Sequence, residues 1–474
     1  MSQTRIVCTI GPASEDTDSL LKLRAAGMSL ARLNGSHSDL DWHKATIARL
    51  RETLPDVPIL LDIPGRKIRT IQLQHEPEFA VGDIIILTTD QSHDGSAKVP
   101  VGHPTLHEQL HDGATVLADD GTLRFTVVKT DGPDIHCRAE VAGKLKSRKG
   151  INVPQVNLVS EMITDRDRTM VAFAKENGVD FVGVSFVESA EQIEAIRSLT
   201  GGVTPRIVSK VENQGGLDNL LEIVKATDAL MIDRGDLSAE TSFEMMALFQ
   251  KDILLAARES GVPVIVATEM LHTMVENSFP TKAEISDITN SVIDGGSATM
   301  LSGETAVGAN PVKAVEVMRL VASAAETHIQ AGLDASEPQT ALKATQAMER
   351  AVALLCRSLP ITKIVAVTLS GYAARMIAAH RPSQPILAIS NDPMAARSFN
   401  LYAGVEGVHV DIEFSKTSAD HIVDCLEELW HRGKLNNDDL IVVSSVSYPK
   451  SGNRMNFLQT HKVSDLVETL SWTM

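Results

Sequence analysis

The chain has 474 residues, of which 43% are hydrophobic and 22% are charged. This length exceeds what one ordinary core supports, so we expect two or three domains, and the composition excludes a disordered protein. The formal net charge of −17 argues against a nucleic-acid partner and against an anionic membrane surface. A site for an anionic substrate must therefore concentrate its cations locally.

The four cysteines are widely scattered and form no CxxC pair. This spacing predicts neither a disulfide framework nor a zinc site. The first ten residues contain no apolar stretch of signal-peptide length, and no run of about 18 apolar residues occurs. We therefore expect a cytoplasmic protein with no membrane partner.

In the first part of the chain, short apolar runs alternate with helix-length segments, beginning with a strand at the N-terminus. Eight such runs are predicted strands: 5–10, 29–34, 59–63, 181–186, 206–211, 229–233, 263–268 and 297–301. Eight strand–helix units predict an α/β protein with a (β/α)8 TIM barrel, formed by residues 1–70 and 154–330.

The third strand–helix unit is interrupted by residues 71–153. Predicted strands at 83–89, 115–118, 123–130 and 135–141 indicate an inserted small β-barrel lid domain at the barrel mouth. A linker is predicted at 331–340. Residues 341–474 then show strands at 363–368, 385–389, 408–412 and 440–444, which predict a C-terminal doubly wound α/β domain.

Polar residues gather where the predicted barrel strands end, which is where barrel enzymes place their catalytic groups. They are Arg32, Asn34, Ser36, Asp62, Lys210, Glu212, Asp236, Thr268 and Ser302. The opposite strand ends offer no comparable set. This clustering predicts an active site at the carboxyl end of the barrel.

Lys210 and Glu212 are two residues apart on one strand, so their side chains leave it on the same side. Such a pair can hold a cation and an anion together, although a surface ion pair has the same pattern. Asp236 supplies a second carboxylate after the next strand, in a Gly-Asp sequence that is also common in simple turns. Together these residues favour a Mg²⁺ site of the kind used in phosphoryl transfer.

Nine segments, in order and at similar spacing, resemble motifs of the pyruvate kinase family. They are residues 6–14 (IVCTIGPAS), 27–37 (GMSLARLNGSH), 61–70 (LDIPGRKIRT), 147–154 (SRKGINVP), 179–187 (VDFVGVSFV), 209–214 (SKVENQ), 234–237 (RGDL), 267–274 (ATEMLHTM) and 300–306 (MLSGETA). The resemblance covers the barrel and lid and weakens in the C-terminal domain. It implies transfer of a phosphoryl group from phosphoenolpyruvate to ADP, the final step of glycolysis.

The resemblance also implies roles for individual residues. Glu212 and Asp236 would hold Mg²⁺ or Mn²⁺, while Arg32 and Lys210 would neutralise the phosphoryl group in transfer. The N–H groups of Gly235 and Asp236 would bind the substrate carboxylate, and Thr268 and Ser302 would lie near the enolate carbon. Nucleotide contacts are implied for Pro12, Asn34, Gly35, Ser36, His37, Arg69 and, from the lid, Lys149.

Lys67 departs from the family pattern, in which most members carry Glu at this position. Potassium-dependent members bind K⁺ through groups that match Asn34, Ser36, Asp62 and the carbonyl of Ile63. A lysine ammonium there would supply the positive charge itself and repel a second cation, so we hypothesise that K⁺ is not required. The alternative is that Lys67 is a tolerated surface change.

Four other departures leave the family function open to modification. Gly35 replaces Phe, Asp233 replaces Ala, Ser238 replaces Gly, and Val307 stands where Lys is common. Asp233 adds a negative charge near the metal site. A divergent paralogue therefore remains an alternative, either a Mg²⁺-dependent pyruvate-enolate lyase or aldolase, or a non-catalytic metabolite-binding regulator.

Two further features extend the prediction beyond the active site. Family resemblance implies a homotetramer and a phosphorylated effector, whose candidate ligands are Thr368, Ser370, Gly371, Ser451 and Gly452. Three histidines at four-residue spacing (His103, His107 and His111) would align on a helix. The intervening Pro104 and the absence of a nearby Cys favour solvated side chains over a zinc site.

Overall fold

A computed structural model describes residues 2–65, 67–119, 121–154, 162–202, 204–329, 344–415, 418–446 and 455–473. The predicted linker at 331–340 lies outside the described residues, and so do Ser451 and Gly452. Within the described part of the chain, no helix combines the length and the apolarity needed to cross a bilayer.

Eight parallel strands close into a barrel, which confirms the predicted (β/α)8 architecture. In chain order they are Arg5–Thr9, Leu30–Asn34, Ile59–Ile63, Phe181–Val184, Arg206–Val211, Ala229–Asp233, Val264–Ala267 and Ala298–Leu301. We number them barrel strands 1 to 8. Most of their residues are fully buried, as expected for strands covered by side chains inside and helices outside.

Helices surround the barrel, and about half of them begin at a capping side chain. Asp16, Asp39 and Ser189 each accept a backbone N–H at a helix start, while Thr164 and Thr281 form capping boxes. The helices are Thr17–Ala26, Leu40–Thr53, Asp165–Glu176, Ala190–Thr200, Gln214–Asp218, Leu220–Ala226, Arg234–Glu240, Met246–Glu259, Lys282–Ile293, Gly303–Ala306 and Pro311–Glu326. Two 3₁₀ turns, Phe243–Met245 and His272–Val275, accompany them.

The inserted segment folds as a separate β unit around its own apolar core. Among the described residues its strands pair as one six-stranded and one two-stranded sheet, and not as the closed small barrel that the sequence predicts. The strands are Glu78–Phe79, Ile84–Thr88, Val99–Pro100, Thr115–Ala118, Leu123–Asp131, Asp134–Ala139, Gly143–Lys144 and Ile151–Asn152, with one helical turn at Leu106–Gln109. Only His107 of the three spaced histidines lies in that turn.

The C-terminal unit is a five-stranded sheet whose first four strands in the chain are parallel. Its strands are Lys363–Val367, Ile386–Ser390, Val405–His409, Leu440–Ser445 and Phe457–Lys462, and its helices are Ala344–Ser358, Tyr372–Ala379, Pro393–Ser398, Asp420–His431 and Val463–Leu470, with a 3₁₀ turn at Phe399–Leu401.

Two features of this sheet differ from the prediction. The strand expected at 408–412 lies at Val405–His409. Within this strand, Gly407 packs against the backbone of the helix Pro393–Ser398, where a Cβ would meet the Ala396 carbonyl at 1.8 Å. That Gly and the exposed Glu406 hide the strand pattern. The antiparallel edge strand Phe457–Lys462 was not predicted, because it is polar and mostly exposed.

Candidate active site

A cavity of about 660 Å³ opens at the carboxyl ends of the barrel strands. The predicted residues that line it come from six different strands or the loops after them, as in other barrel enzymes. They are Arg32, Asn34, Ser36, Asp62, Ile63, Lys67, Arg69, Lys210, Gly235, Asp236, Thr268 and Ser302. The strand-end pattern alone identified eight of the 24 lining residues, and Glu212, which it also named, lies behind the cavity wall.

Lys210 lies at the centre of a buried charge network. Its Nζ is 2.6 Å from Glu212 Oε1, 3.1 Å from Asp233 Oδ2 and 3.9 Å from Asp62 Oδ2. Burial by itself lowers the pKa of Lys210, but these three carboxylates outweigh it and raise that pKa above its usual value. Lys210 is therefore a permanently charged ammonium on the cavity wall.

Glu212 is fully buried, and its second oxygen accepts the Phe186 N–H at 2.7 Å. Burial raises the pKa of the Glu212 carboxyl, while Lys210 opposes that shift. A carboxylate held in this way is costly unless a cation remains beside it. Lys210 supplies one positive charge, and a metal ion would supply more.

Three carboxylates lie close enough to hold one ion. Oxygens of Glu212, Asp233 and Asp236 all lie within 4.8 Å of one another, and no second such group of metal-binding side chains occurs in the described residues. Carboxylate oxygens suit Mg²⁺ and Mn²⁺. Burial and the neighbouring Asp233 raise the pKa of Asp236, so an added cation would favour its ionised form. These residues fit a divalent cation.

Lys67 also reaches this group, because its Nζ donates a hydrogen bond to Asp236 Oδ1. The Lys67 side chain crosses Gly150 in the lid, where a Cβ would meet Lys67 Cε at 2.6 Å. Its ammonium therefore contacts the divalent-cation carboxylates, while it also lines the cavity with Asn34, Ser36, Asp62 and Ile63.

Arg32 is fixed in place by Asp62. Its Nε donates to Asp62 Oδ2 at 2.7 Å, its Nη2 lies 2.6 Å from the same oxygen, and its Nη1 donates to Thr9 Oγ1 at 3.0 Å. The guanidinium is 6% exposed, so it faces the cavity without the freedom of a surface arginine. Arg32 and Lys210 thus present two fixed cations to an anionic ligand.

Thr268 and Ser302 follow barrel strands 7 and 8. Thr268 has a positive φ of 65°, unusual for a β-branched residue, and its Oγ1 accepts the Gly235 N–H at 3.0 Å. To bind a substrate carboxylate, as predicted, the Gly235 N–H would have to give up its hydrogen bond to Thr268 Oγ1. Ser302 Oγ is buried, and no partner is found for it among the described residues.

Only part of the predicted nucleotide set reaches the cavity. Asn34, Ser36 and Arg69 line it. The other four predicted residues (Pro12, Gly35, His37 and Lys149) are not among its lining residues in the described chain. Lys149 is paired instead with Asp119 at 2.6 Å. The pKa of His37 is lowered, mainly by burial and next by the positive charge of Arg69. Gly35 has no room for a side chain, since a Cβ would meet the Asp62 carbonyl at 2.5 Å.

Sequence reasoning missed several residues of the cavity wall. They are Pro64, Asp119, Thr122, Ser185, Phe186, Glu269, His272, Val275, Gly303 and Glu304. Ser185 and Phe186 could have been found, because they follow barrel strand 4. The lid residues Asp119 and Thr122 could not, since no barrel rule predicts which lid turn faces the mouth.

The other residues that depart from the family pattern, and the three spaced histidines, make only local contacts or are exposed to solvent. Ser238 Oγ donates to the Gly235 carbonyl at 3.0 Å, and Val307 is an exposed residue at the cavity rim. His103, His107 and His111 form no metal-binding group in the described chain. The latter two bond Thr89 and the Asp112 carbonyl.

The described part of the predicted effector site is a loop between a strand and a helix. Gly371 has a φ of 80°, and its N–H donates to Thr368 Oγ1 at 3.1 Å. The Ser370 carbonyl accepts a hydrogen bond from the barrel residue Arg206 at 2.9 Å. The loop therefore contacts the amino end of the barrel, and Ser451 and Gly452 lie outside the described residues.

The fold and this cavity define a barrel enzyme whose cavity wall joins fixed cations to a carboxylate cluster that fits a divalent cation. Residues 1–315 match the family model "Pyruvate kinase, barrel domain", and residues 346–461 match "Pyruvate kinase, alpha/beta domain". The pyruvate kinase of Bacillus licheniformis is 37% identical over 480 residues, which cover 98% of this chain and 81% of that protein.

Two other relatives agree. The pyruvate kinase of Clostridium perfringens is 36% identical over 419 residues, with 85% of this chain and 88% of that protein covered. A crystal structure of a pyruvate kinase from Cryptosporidium parvum superimposes with a TM-score of 0.86 at 31% identity, covering 98% of this chain and 96% of that one. The chain belongs to the pyruvate kinase family, and it is a glycolytic kinase that acts on phosphoenolpyruvate and ADP.

Proposed function

We propose that Arg32 and Lys210 carry the phosphoryl transfer from phosphoenolpyruvate to ADP by neutralising the transferred group. The observation that supports this proposal is the position of Lys210, a buried ammonium between Glu212 and Asp233 on the cavity wall. Phosphoryl transfer depends mainly on positioning and on stabilising charge over the phosphate oxygens. Two cations fixed by carboxylates need no rearrangement when that charge develops.

Glu212 and Asp236 would hold Mg²⁺ or Mn²⁺ beside these cations. The metal would supply further positive charge to the oxygens of the substrate. Thr268 and Ser302 would face the enolate carbon, and the buried Ser302 hydroxyl is suited to a chain of protons or waters that ends there. Gly235 would bind the substrate carboxylate once its N–H leaves Thr268.

ADP would enter between the barrel mouth and the lid. Asn34, Ser36 and Arg69 line the cavity on that side, while Pro12, Gly35 and His37 lie in the neighbouring loops. Lys149 would reach the nucleotide phosphates if lid closure moved it from Asp119. We further propose a homotetramer in the cytoplasm, with a phosphorylated effector bound at the loop that contains Thr368, Ser370 and Gly371.

Lys67 would replace the K⁺ ion used by potassium-dependent relatives. Its side chain is only 10% exposed and lies on the same cavity wall as Asn34, Ser36, Asp62 and Ile63. A second monovalent cation at that wall would be repelled by the ammonium. The enzyme would therefore work without K⁺.

The test is pyruvate release from phosphoenolpyruvate, ADP and Mg²⁺, with K⁺ present and with tetramethylammonium in its place. We expect equal rates in both salts, and a Lys67→Glu variant should become dependent on K⁺. Activity of the unmodified enzyme only with K⁺ would refute the role of Lys67 and leave the kinase reaction intact. Turnover of an oxo-acid without ADP would favour a lyase instead.

A further inference from the structure

Asp233 occupies a position that the proposed reaction does not yet explain. It is the last residue of barrel strand 6, is 7% exposed, and has one carboxylate oxygen 3.1 Å from Lys210 Nζ. Glu212 contacts the same ammonium from the preceding strand at 2.6 Å. Lys210 is therefore held by one carboxylate that follows its own strand and by another on the neighbouring strand.

Lys67 lies on the other side of the same carboxylates. Its ammonium contacts Asp236, whose oxygens belong to the same close group as those of Asp233 and Glu212. Burial tends to raise the pKa of Asp233, but Lys210 and then Lys67 hold that pKa down at about 2. Asp233 is thus ionised, and its carboxylate interacts electrostatically with both Lys210 and Lys67.

The ion pairs of Arg32, Lys67 and Lys210 form a network whose charges are nearly balanced, in a cavity wall that also carries Arg69, Asp119, Glu269 and Glu304. Four carboxylates (Asp62, Glu212, Asp233 and Asp236) face three cations (Arg32, Lys67 and Lys210). Loss of the Asp233 charge would leave the network neutral, and loss of the Lys67 charge would leave it with two unbalanced carboxylates. In a buried network such an excess is costly, because little water is present to screen it.

We propose that Asp233 is a positioning residue for Lys210 and the charge partner of Lys67, so that these two side chains act as a coupled pair. This inference rests on the proposed role of Lys210 in the reaction. It assigns Asp233 to the control of cation and anion binding at the same site.

A double-mutant cycle with Asp233→Asn and Lys67→Gln tests the proposal, in tetramethylammonium so that K⁺ cannot intervene. Each single variant should lower kcat about 10-fold or more, because Asp233→Asn weakens the contact that positions Lys210 and Lys67→Gln removes the cation beside Asp236. The double variant, whose net charge equals that of the unmodified site, should recover at least 5-fold over the product of the two single effects. Asp233→Ala, which also removes the contact with Lys210, should lower kcat further.

Binding of Mn²⁺ to the enzyme without substrates, followed by electron paramagnetic resonance, provides a readout besides activity. Asp233→Asn should weaken Mn²⁺ binding about 5-fold while it lowers the KM for the anionic phosphoenolpyruvate, since one negative charge is lost. A purely structural role would not produce these opposite shifts. Glu212→Gln serves as the reference for loss of a metal ligand.

Glu269→Gln is the matched control, because Glu269 lines the same cavity but is exposed to solvent, which screens its charge. In a double-mutant cycle, the effects of Glu269→Gln and Lys67→Gln on kcat should be additive. Additive losses in the Asp233 cycle, or unchanged Mn²⁺ binding in Asp233→Asn, would overturn the proposal. If Lys210→Met itself kept normal turnover, the proposed reaction role of Lys210 would fail instead.

Discussion

The two ends of the barrel carry buried charges of the same kinds but use them differently. At the carboxyl end, Lys210 and Asp236 line an open cavity, and the buried carboxylate of Glu212 pairs with Lys210 behind it. At the amino end, Asp180 and Arg206 are buried and Arg5 is partly buried, and each contacts the C-terminal unit. Sequence position along a strand therefore decides what a buried charge does.

Asp180 shows how the amino end satisfies its charges. This carboxylate is 0% exposed and accepts hydrogen bonds from Arg51, the Ile59 N–H at 2.8 Å and Arg397 at 3.0 Å. Arg206 likewise donates to the Ser370 carbonyl and to Tyr402 Oη. These contacts join the barrel to the C-terminal unit, although Arg206 Nε has no hydrogen-bond partner among the described residues.

The carboxyl end differs because its network includes like charges that are close together. Glu212 and Asp236 both have a raised pKa, which reflects burial beside Asp233. Such a site stores unfavourable electrostatic energy that a bound cation relieves. The comparison predicts that substitutions at the carboxyl end change catalysis, whereas those at the amino end change stability.

The largest effect is expected for Lys210→Met. Removal of a fixed cation from a phosphoryl-transfer site should lower kcat by about 10³-fold or more. Phosphoenolpyruvate binding, measured by isothermal titration, should weaken much less. Lys251→Met is the matched control, because Lys251 pairs with Asp294 on the outer surface of the barrel. Near-normal turnover of Lys210→Met would remove this residue from the mechanism.

Asp180→Ala should show the reverse pattern. It leaves Arg51, Arg397 and the Ile59 N–H without a buried partner, which should destabilise the protein by about 3–5 kcal/mol. The urea midpoint should fall clearly, while kcat of the folded enzyme stays close to normal. Asp294→Ala, which removes a partly exposed surface pair, should change the midpoint little. A stable Asp180→Ala variant with impaired kcat would contradict the division between the two ends.

The barrel could be predicted from sequence because its strands are nearly continuous apolar runs between helices. All eight predicted strands are present, and their ends differ by no more than two residues. Strand Phe457–Lys462 could not be predicted, because an edge strand with several exposed polar residues lacks the continuous apolar run that marks a buried strand. The strand Val405–His409 was misplaced because Gly407 serves a close contact with a helix and breaks the pattern.

The candidate site could be predicted only where strand position alone determines it. Lys210, Glu212, Thr268 and Ser302 follow from that rule. The contact of Lys67 with Asp236 does not, because it joins residues 169 positions apart through a loop that crosses the barrel mouth. No spacing in the sequence indicates which carboxylate a loop lysine such as Lys67 will contact.

The smallest predicted effect concerns Glu240, where the lid meets the carboxyl end of the barrel. Glu240 ends the helix that carries Asp236, and its carboxylate accepts a hydrogen bond from Asn152 of the lid at 2.8 Å. Burial raises the pKa of Glu240 to about 7, the bond from Asn152 opposes the shift, and Asp236 adds to it. The folded state therefore keeps a proton that the unfolded chain, with a carboxyl pKa near ~4.3, releases earlier.

Stability should consequently fall as the pH rises from about 4.3 to about 7, and the full penalty should remain above pH 7. Glu240→Gln removes the titrating group but keeps an acceptor for Asn152. We expect this variant to match the unmodified enzyme near pH 4.5 and to exceed its stability at pH 8 by on the order of 1 kcal/mol. Urea unfolding at the two pH values measures the difference, with the exposed Glu222→Gln as control. If both variants responded alike to pH, the buried carboxyl at the lid junction would not titrate in this range, and the electrostatic strain of this end would be confined to the cavity itself.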